Sequence, residues 1–533
     1  MKLTFIGACH EVTGSCFLLQ HDGLNILIDS GMKQGASDLL SVPLPINEWE
    51  IDYIFLTHAH IDHSGNIPYL YKKGFRGKVI CTIGTKELSN IMLKDSAYIQ
   101  MSDAAWINKH NERSGKEKVE PLYTIEDVEN VLKRFEEYDY QDIISISDNI
   151  SIVFQDAGHL LGSASIIVML GTKSNYTSIV FSGDIGNENQ PLIKNPSNII
   201  SQVDYVVMES TYGNRLHEKP KDYISLLASI IQKTFDRGGD LIIPSFAVGR
   251  AQELLYFIRE IKEKNMIKNH PNFKVYLDSP LANEATEIYD KRVLSYCNSE
   301  TAALIEQGIN PIIFNGLVRT TSVLDSKAIS ANENPKIIIS AAGMCDAGRI
   351  RHHLKHNLWR SECTIMFVGY QAVGTLGRII LDGATKVKIF GEEIKVSAEI
   401  IQFPGISAHA DSNGLVKWIS ALSEKPKKVF VVHGDDNSTI SFCHRLIDEY
   451  GLDAVAPYSG TEYNLLTNEF EHTAGPTRVA ITSHGNSFSK SFSKLLDAYE
   501  NLGEVVNMYE YCANKDIEKF TTQICDLAQR WDD

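Results

Sequence analysis

Apolar residues in this chain fall in short runs with strand character. Leu24–Ile28, Tyr53–Leu56, Ile150–Phe154, Ser178–Phe181, Tyr205–Met208, Leu241–Ile243, Lys274–Leu277, Lys336–Ile339 and Val429–Val432 each read as a strand. Helical patterns alternate with them, which predicts a layered α/β protein. Thr124 and Asp127 form a variant of the capping box, and the spacing predicts an amphipathic helix over 124–138. The charged, glycine-containing segment His110–Glu120 reads as an exposed loop. Near the C-terminus, Phe488, Phe492, Leu495, Tyr499 and Leu502 recur at helical spacing, as do Ile517, Phe520, Ile524, Leu527 and Trp531.

The polar residues that directly follow the apolar runs carry the chemical signal. Asp29, His58, His159, Asp184, Glu209 and His433 each stand at or just past a strand-like run. Strand ends along one sheet edge converge on a single site in α/β enzymes. The densest piece is His58-Ala59-His60-Ile61-Asp62-His63. In extended chain, residues i and i+2 point the same way, so His58 and His60 can hold one cation together. Asp62 and His63 come where the chain turns and can reach a second. Imidazole with carboxylate suits zinc, and also manganese or iron.

Composition narrows the setting. A chain of 533 residues predicts two or three domains. Nine scattered cysteines without a CxxC pair argue for reduced thiols and a cytoplasmic protein. No apolar stretch is long enough to span a membrane, and the start reads as a strand, not a signal peptide. A net charge of −16 argues against a general nucleic-acid coat, although a metal-lined cleft is locally positive even in an acidic protein.

Taken together, Asp29, the His58–His63 run, His159 in Ala-Gly-His-Leu-Leu-Gly-Ser and Asp184 in Phe-Ser-Gly-Asp-Ile-Gly resemble the four motifs of the metallo-β-lactamase fold. Glu209-Ser-Thr-Tyr-Gly-Asn-Arg-Leu-His217, Pro404-Gly-Ile-Ser-Ala-His409-Ala-Asp411 and Val432-His433-Gly434-Asp435 are similar to the three β-CASP nuclease motifs. Segments 244–250, 278–282, 340–349 and 369–378 look like the branch related to the nuclease subunit of the cleavage and polyadenylation specificity factor. The resemblance covers roughly residues 1–465.

The resemblance implies an αββα sandwich interrupted by an inserted α/β cap. Residues 1–209 and 386–465 would build the sandwich, 210–385 the β-CASP cap, and 466–533 a helical extension. It implies two zinc ions, with manganese or iron as substitutes. His58, His60, His159 and Asp184 would hold the first; Asp62, His63, Asp184 and His433 the second. Asp29 would orient a ligand histidine. His409 would act as general acid, oriented by Glu209. Arg250, Ser340, Gly343 and Arg349 are candidates for phosphate contacts from the cap. The basic stretch 349–356 reads as a helix that either lines the cleft or faces solvent. Histidines 10, 21, 110, 217, 270, 444, 472 and 484 are read as ordinary residues. The implied activity is RNA phosphodiester hydrolysis to 5′-phosphate and 3′-OH ends, endonucleolytic, with 5′-to-3′ exonucleolysis as a further mode. The implied partners are an RNA substrate and a second copy in a homodimer. Two alternatives stand beside it: a phosphodiesterase for DNA or a small phosphodiester, and a non-catalytic subunit of an RNA-processing complex.

Overall fold

The computed structural model describes residues 1–477, except 36–38, 40, 173–174, 200–201, 218–221, 373 and 405–406, together with 519–525. The chain divides into two compact units, Met1–Pro476 and Thr477–Asp533. In the second unit residues 519–525 are helical. The remaining C-terminal positions expected to be helical lie outside the described residues.

The described residues of the first unit build two large sheets, one of eight strands and one of seven. Their facing sides form one apolar core. Phe5, Phe17, Ile28 and Phe55 from the first sheet meet Phe154, Ile166, Phe181, Val207 and Phe430 from the second. The strand Ile150–Asp156 shows the reason, since its residues alternate between fully and partly buried. The outer side of the eight-stranded sheet packs on helices Ile67–Lys72, Ile83–Ser114 and Ile125–Leu132 through Ile67, Leu93 and Val128. The outer side of the seven-stranded sheet packs on helices Ser412–Ser420 and Asp436–Tyr450 through Leu415, Trp418 and Phe442. Helix, sheet, sheet, helix is the αββα sandwich that the sequence pattern implied.

A third sheet of six strands lies in the inserted segment, and all its pairings are parallel. Both faces are covered, as parallel sheets require. Helices Tyr223–Asp236, Arg250–Glu263 and Pro280–Tyr296 cover one face; Ile350–Asn357 and Leu376–Leu381 cover the other.

The elements depart from the sequence reading in four places. The return to the sandwich was expected near residue 386. Instead Lys386–Ile389 pairs with Glu392–Lys395, and Val387 and Ile389 pack into the cap core. Glu399–Phe403 then forms an edge of the six-stranded sheet beside Thr364–Val368. The sandwich in turn extends past 465 to the strand Glu469–His472. His110–Ser114 is not loop but the end of helix Ile83–Ser114, which Gly115 stops in a left-handed conformation at φ 66°. No glycine or proline interrupts residues 85–114, so nothing local ends that helix earlier. The capped helix after Thr124 stops at Leu132, because Phe135–Tyr138 is captured as a strand beside Lys78–Thr82. Among the described residues no helix is long and apolar enough to cross a membrane.

Candidate metal centre

Strand order brings the scattered polar residues together. The strands Leu24–Ile28, Tyr53–Phe55, Asn175–Phe181, Tyr205–Glu209 and Lys428–Val432 end at one edge of the sandwich. The chain kinks sharply where they end. Asp29 and His433 take left-handed backbone angles, φ 58° and 49°, a cost that non-glycine residues tolerate mainly at functional sites. Gly31 lies so close to the His58–His63 turn that a Cβ there would overlap the Asp62 carbonyl.

Two groups of donors result. His58 Nε2 and His159 Nε2 lie 3.1 and 3.2 Å from His60 Nδ1, and each is 3.4 Å from Asp184 Oδ2. His63 Nε2 and His433 Nε2 are 3.1 Å apart, and lie 3.2 and 3.6 Å from Asp184 Oδ1. Asp62 Oδ2 is 3.7 Å from His433 Nε2. The two carboxylate oxygens of Asp184 therefore face two different clusters.

The donor set fits metal. Ligands at about 2.0–2.1 Å around a tetrahedral zinc ion lie about 3.3–3.4 Å from one another, close to these separations. Asp184 Oδ1 is buried without a hydrogen-bond partner, which is costly unless a cation meets it. Burial, reinforced by His58, holds His60 down to about 3. Burial likewise lowers His58, with His63 adding to it, and lowers His159, with His409 adding to it. These imidazoles present lone pairs to one another, an arrangement that a shared cation relieves.

The outward nitrogens are held by neighbours, as orienting partners of metal-ligating histidines are. His63 Nδ1 donates to Asp29 Oδ2 at 2.7 Å. Asp29 also accepts from the Thr57 amide and hydroxyl, each at 2.8 Å. That hydroxyl lies 3.1 Å from His58 Nδ1. His159 Nδ1 donates to the Ala408 carbonyl at 3.3 Å, and His433 Nδ1 donates to the Thr211 hydroxyl at 3.1 Å. Thr57, Thr211 and Ala408 did not stand out in the sequence, since hydroxyls and carbonyls have no distinctive spacing. His10 was read as ordinary but is buried behind the site. It stacks on Tyr458 and bonds Asp436 at 2.7 Å, bracing the turn after His433.

His409 approaches from the loop before helix Ser412–Ser420. Its Nδ1 is 3.2 Å from both oxygens of Glu209, and its Nε2 is 3.9 Å from Asp184 Oδ2. Glu209 is fixed in turn by the Ile185 amide at 2.6 Å. Burial pulls the His409 imidazolium down, but Glu209 and then Asp184 outweigh it and set its pKa at about 9. His217 holds the His409 carbonyl at 3.0 Å.

The cap residues picked from the sequence each have partners within the cap. Arg250 is buried and paired with Glu253. The Ser340 hydroxyl donates to the Asp278 carbonyl at 2.8 Å. Arg349 pairs with Asp278 at 2.7 Å and bonds the Thr321 carbonyl. Gly343 is buried against Phe246, its carbonyl taken by Gln371. In the basic helix Ile350–Asn357, His353 faces inward and bonds Asp278 at 2.6 Å.

A sandwich of this kind with a histidine–carboxylate cluster at its strand ends defines a metal-dependent hydrolase of the metallo-β-lactamase class. Comparison with known proteins agrees and goes further. Residues 11–196 match the metallo-beta-lactamase superfamily, 251–380 the Beta-Casp domain, and 393–457 the Zn-dependent metallo-hydrolase RNA specificity domain. The chain is 34% identical to Ribonuclease TTHA0252 of Thermus thermophilus, over 83% of this chain and 95% of that one. It is 33% identical to the Transcription termination factor FttA of Methanosarcina mazei, over 86% and 70%. It is 29% identical to an RNase J-like protein of Methanocaldococcus jannaschii, over 86% and 98%. A crystal structure of a protein of unknown function from Enterococcus faecalis shares the fold, with a TM-score of 0.50 at 12% identity, over 86% and 99%. The chain belongs to the β-CASP ribonuclease family.

Proposed function

We propose that the centre holds two zinc ions and hydrolyses RNA phosphodiester bonds to 5′-phosphate and 3′-OH ends. The observation that carries this reading is Asp184, whose two oxygens face separate clusters on either side. We assign His58, His60, His159 and Asp184 to one ion, and Asp62, His63, Asp184 and His433 to the other. Manganese or iron would suit the same donors. Bound there, the cations supply the Lewis acidity that ionises an attacking water near neutral pH and balances charge on the phosphoryl oxygens.

The chain's own residues do the rest. Asp29, Thr57 and Thr211 hold the ligand imidazoles in one tautomer and orientation. Glu209, beside His409 Nδ1, favours the protonated ring, and His409 points Nε2 toward the centre. It delivers that proton to the leaving O3′, while Glu209 stabilises the imidazolium and fixes its ring. Of the cap residues, the partly exposed Arg349 is assigned to phosphate; Arg250 and Ser340 support the turns around it. Eight described cysteines are unpaired, and seven of them are buried, which supports a reducing, cytoplasmic setting.

Zinc-loaded protein is expected to cut 5′-labelled single-stranded RNA internally, to leave 5′-phosphates, and to stop on chelation. Matched DNA and small phosphodiesters run beside it test the other substrate classes. No RNA cleavage by fully metallated protein overturns the reading.

A further inference from the structure

His409 stands in a loop that is held from two sides. The first clamp is the segment after Asp184. The Asn187 amide donates to the Ala408 carbonyl at 2.9 Å, and the Ala410 amide donates to the Ile185 carbonyl at 2.8 Å. Gly186 and His409 face each other there as an antiparallel bridge. His159 and Gln190 also donate to the Ala408 carbonyl, at 3.3 and 3.0 Å. The chain leading into His409 is thereby tied to the metal donors.

The second clamp is the segment Glu209–His217. Ser412 donates from its amide to the Arg215 carbonyl at 3.1 Å and from its hydroxyl to the Gly213 carbonyl at 2.7 Å. Asp411 caps helix Ser412–Ser420 by accepting from the Gly414 amide, and its other oxygen accepts from the His217 amide at 3.2 Å. The ring of His217 turns back onto the loop, and its Nε2 donates to the carbonyl of His409 itself at 3.0 Å. Tyr212 packs edge-on against His217 at 4.5 Å and lies 6.1 Å from His409. One short segment therefore holds His409 twice: Glu209 at its ring and His217 at its main chain.

A proton donor works only where its N–H meets the leaving oxygen. Glu209 restricts rotation of the ring, but the ring also swings with the peptide from which it springs. Holding the carbonyl stops that tilt. A misplacement of about 1 Å at the reacting atoms can cost about 10²-fold in rate.

We infer that His217 is a positioning residue for proton transfer, and that its hydrogen bond to the His409 carbonyl sets the line along which Nε2 reaches the leaving O3′. The inference rests on the nuclease reading, in which the P–O3′ bond breaks as the Nε2 proton passes to O3′.

The test compares two leaving groups on zinc-loaded protein. One substrate is single-stranded RNA; the other is the same strand with sulfur in place of the bridging O3′ at one linkage. A thiolate leaves without a proton, so the sulfur linkage needs no general acid. His217→Phe keeps a ring against Tyr212 but has no donor. It should lower kcat at the oxygen linkage about 10–10²-fold with KM and metal content unchanged, and hardly slow the sulfur linkage. His217→Ala should behave alike. His217→Gln, whose amide can still donate, should restore most of the oxygen rate. His409→Ala should show the same pattern with a larger loss. Equal losses on both linkages, a loss of metal, an unchanged oxygen rate, or a Gln variant as slow as the Phe variant overturns the role of His217. If the unmodified protein cuts neither strand, the nuclease reading falls and takes this role with it; the other outcomes strike His217 alone.

Discussion

The floor of the cleft and its roof start from the same material: polar residues at the ends of strands. They use it in opposite ways. On the floor, five histidines and two aspartates turn their donor atoms toward one another, and Asp184 Oδ1 is left without a hydrogen bond. In the roof, Asp278 gathers Thr320, Ser326, Arg349 and His353 around one buried carboxylate. These four, with burial opposing them, hold its pKa far below the usual carboxylate range. The floor's donors thus converge on one another, whereas the Asp278 carboxylate of the roof is compensated within the protein. Residue type alone does not distinguish the two; the partners of each polar atom do.

Asp184→Ala should produce the largest effect, because it strips one donor from both clusters. Metal content by plasma mass spectrometry should fall by about half or more, with RNA cleavage at background. Full retention of metal would mean that the floor does not hold it. His409→Ala comes next. It should lower the cleavage rate by about 10²–10⁴-fold with metal content unchanged, the range for a lost general acid. Equal loss of metal would make His409 a ligand instead.

Asp278→Ala probes the roof. It leaves Arg349 and His353 without their shared carboxylate, and should destabilise the protein by about 3–5 kcal/mol in urea unfolding while metal content is unchanged. A fall in metal content without loss of stability would erase the contrast between floor and roof.

The smallest effect concerns Asp156, at the end of the strand Ile150–Asp156 on the floor side. Burial raises its carboxyl to about 7, against opposing pulls from the Gly158 amide, Lys194 and Tyr140. A raised pKa means that the folded protein favours the protonated form. Its stabilising contribution is complete below about pH 4 and is lost as pH rises to 7. Asp156→Asn should therefore match the parent near pH 4 and exceed it at pH 8, by at most about 4 kcal/mol. Equal melting curves at both pH values would show that Asp156 is well solvated.

Much of this was legible in the chain. Apolar runs marked the strands, and the residue after each run marked the donors, because the chain must turn where a strand ends. The neighbours that orient those donors were not legible. Thr57 and Thr211 look like any threonine, and the Ala408 carbonyl has no side-chain signature at all. The cap boundary was misplaced because Glu399–Phe403 reads as a strand in either body, and only its pairing with Thr364–Val368 assigns it. Arg250 and Ser340 looked available for phosphate because a sequence shows a charge or a hydroxyl without its partner.

By itself, then, the sequence named candidate metal donors and proton carriers, and set several of them at strand ends. Periodicity and residue chemistry are local, and local information is enough for that. The tertiary structure decided which donors come together, since His63 and His433 meet across 370 residues only through the order of strands in two packed sheets. It also decided that Asp184 faces both clusters, that Asp278 is compensated within the cap, and that Phe246 and Tyr370 remain in the open. Those are distances between segments remote in the chain, set by sheet pairing and core packing.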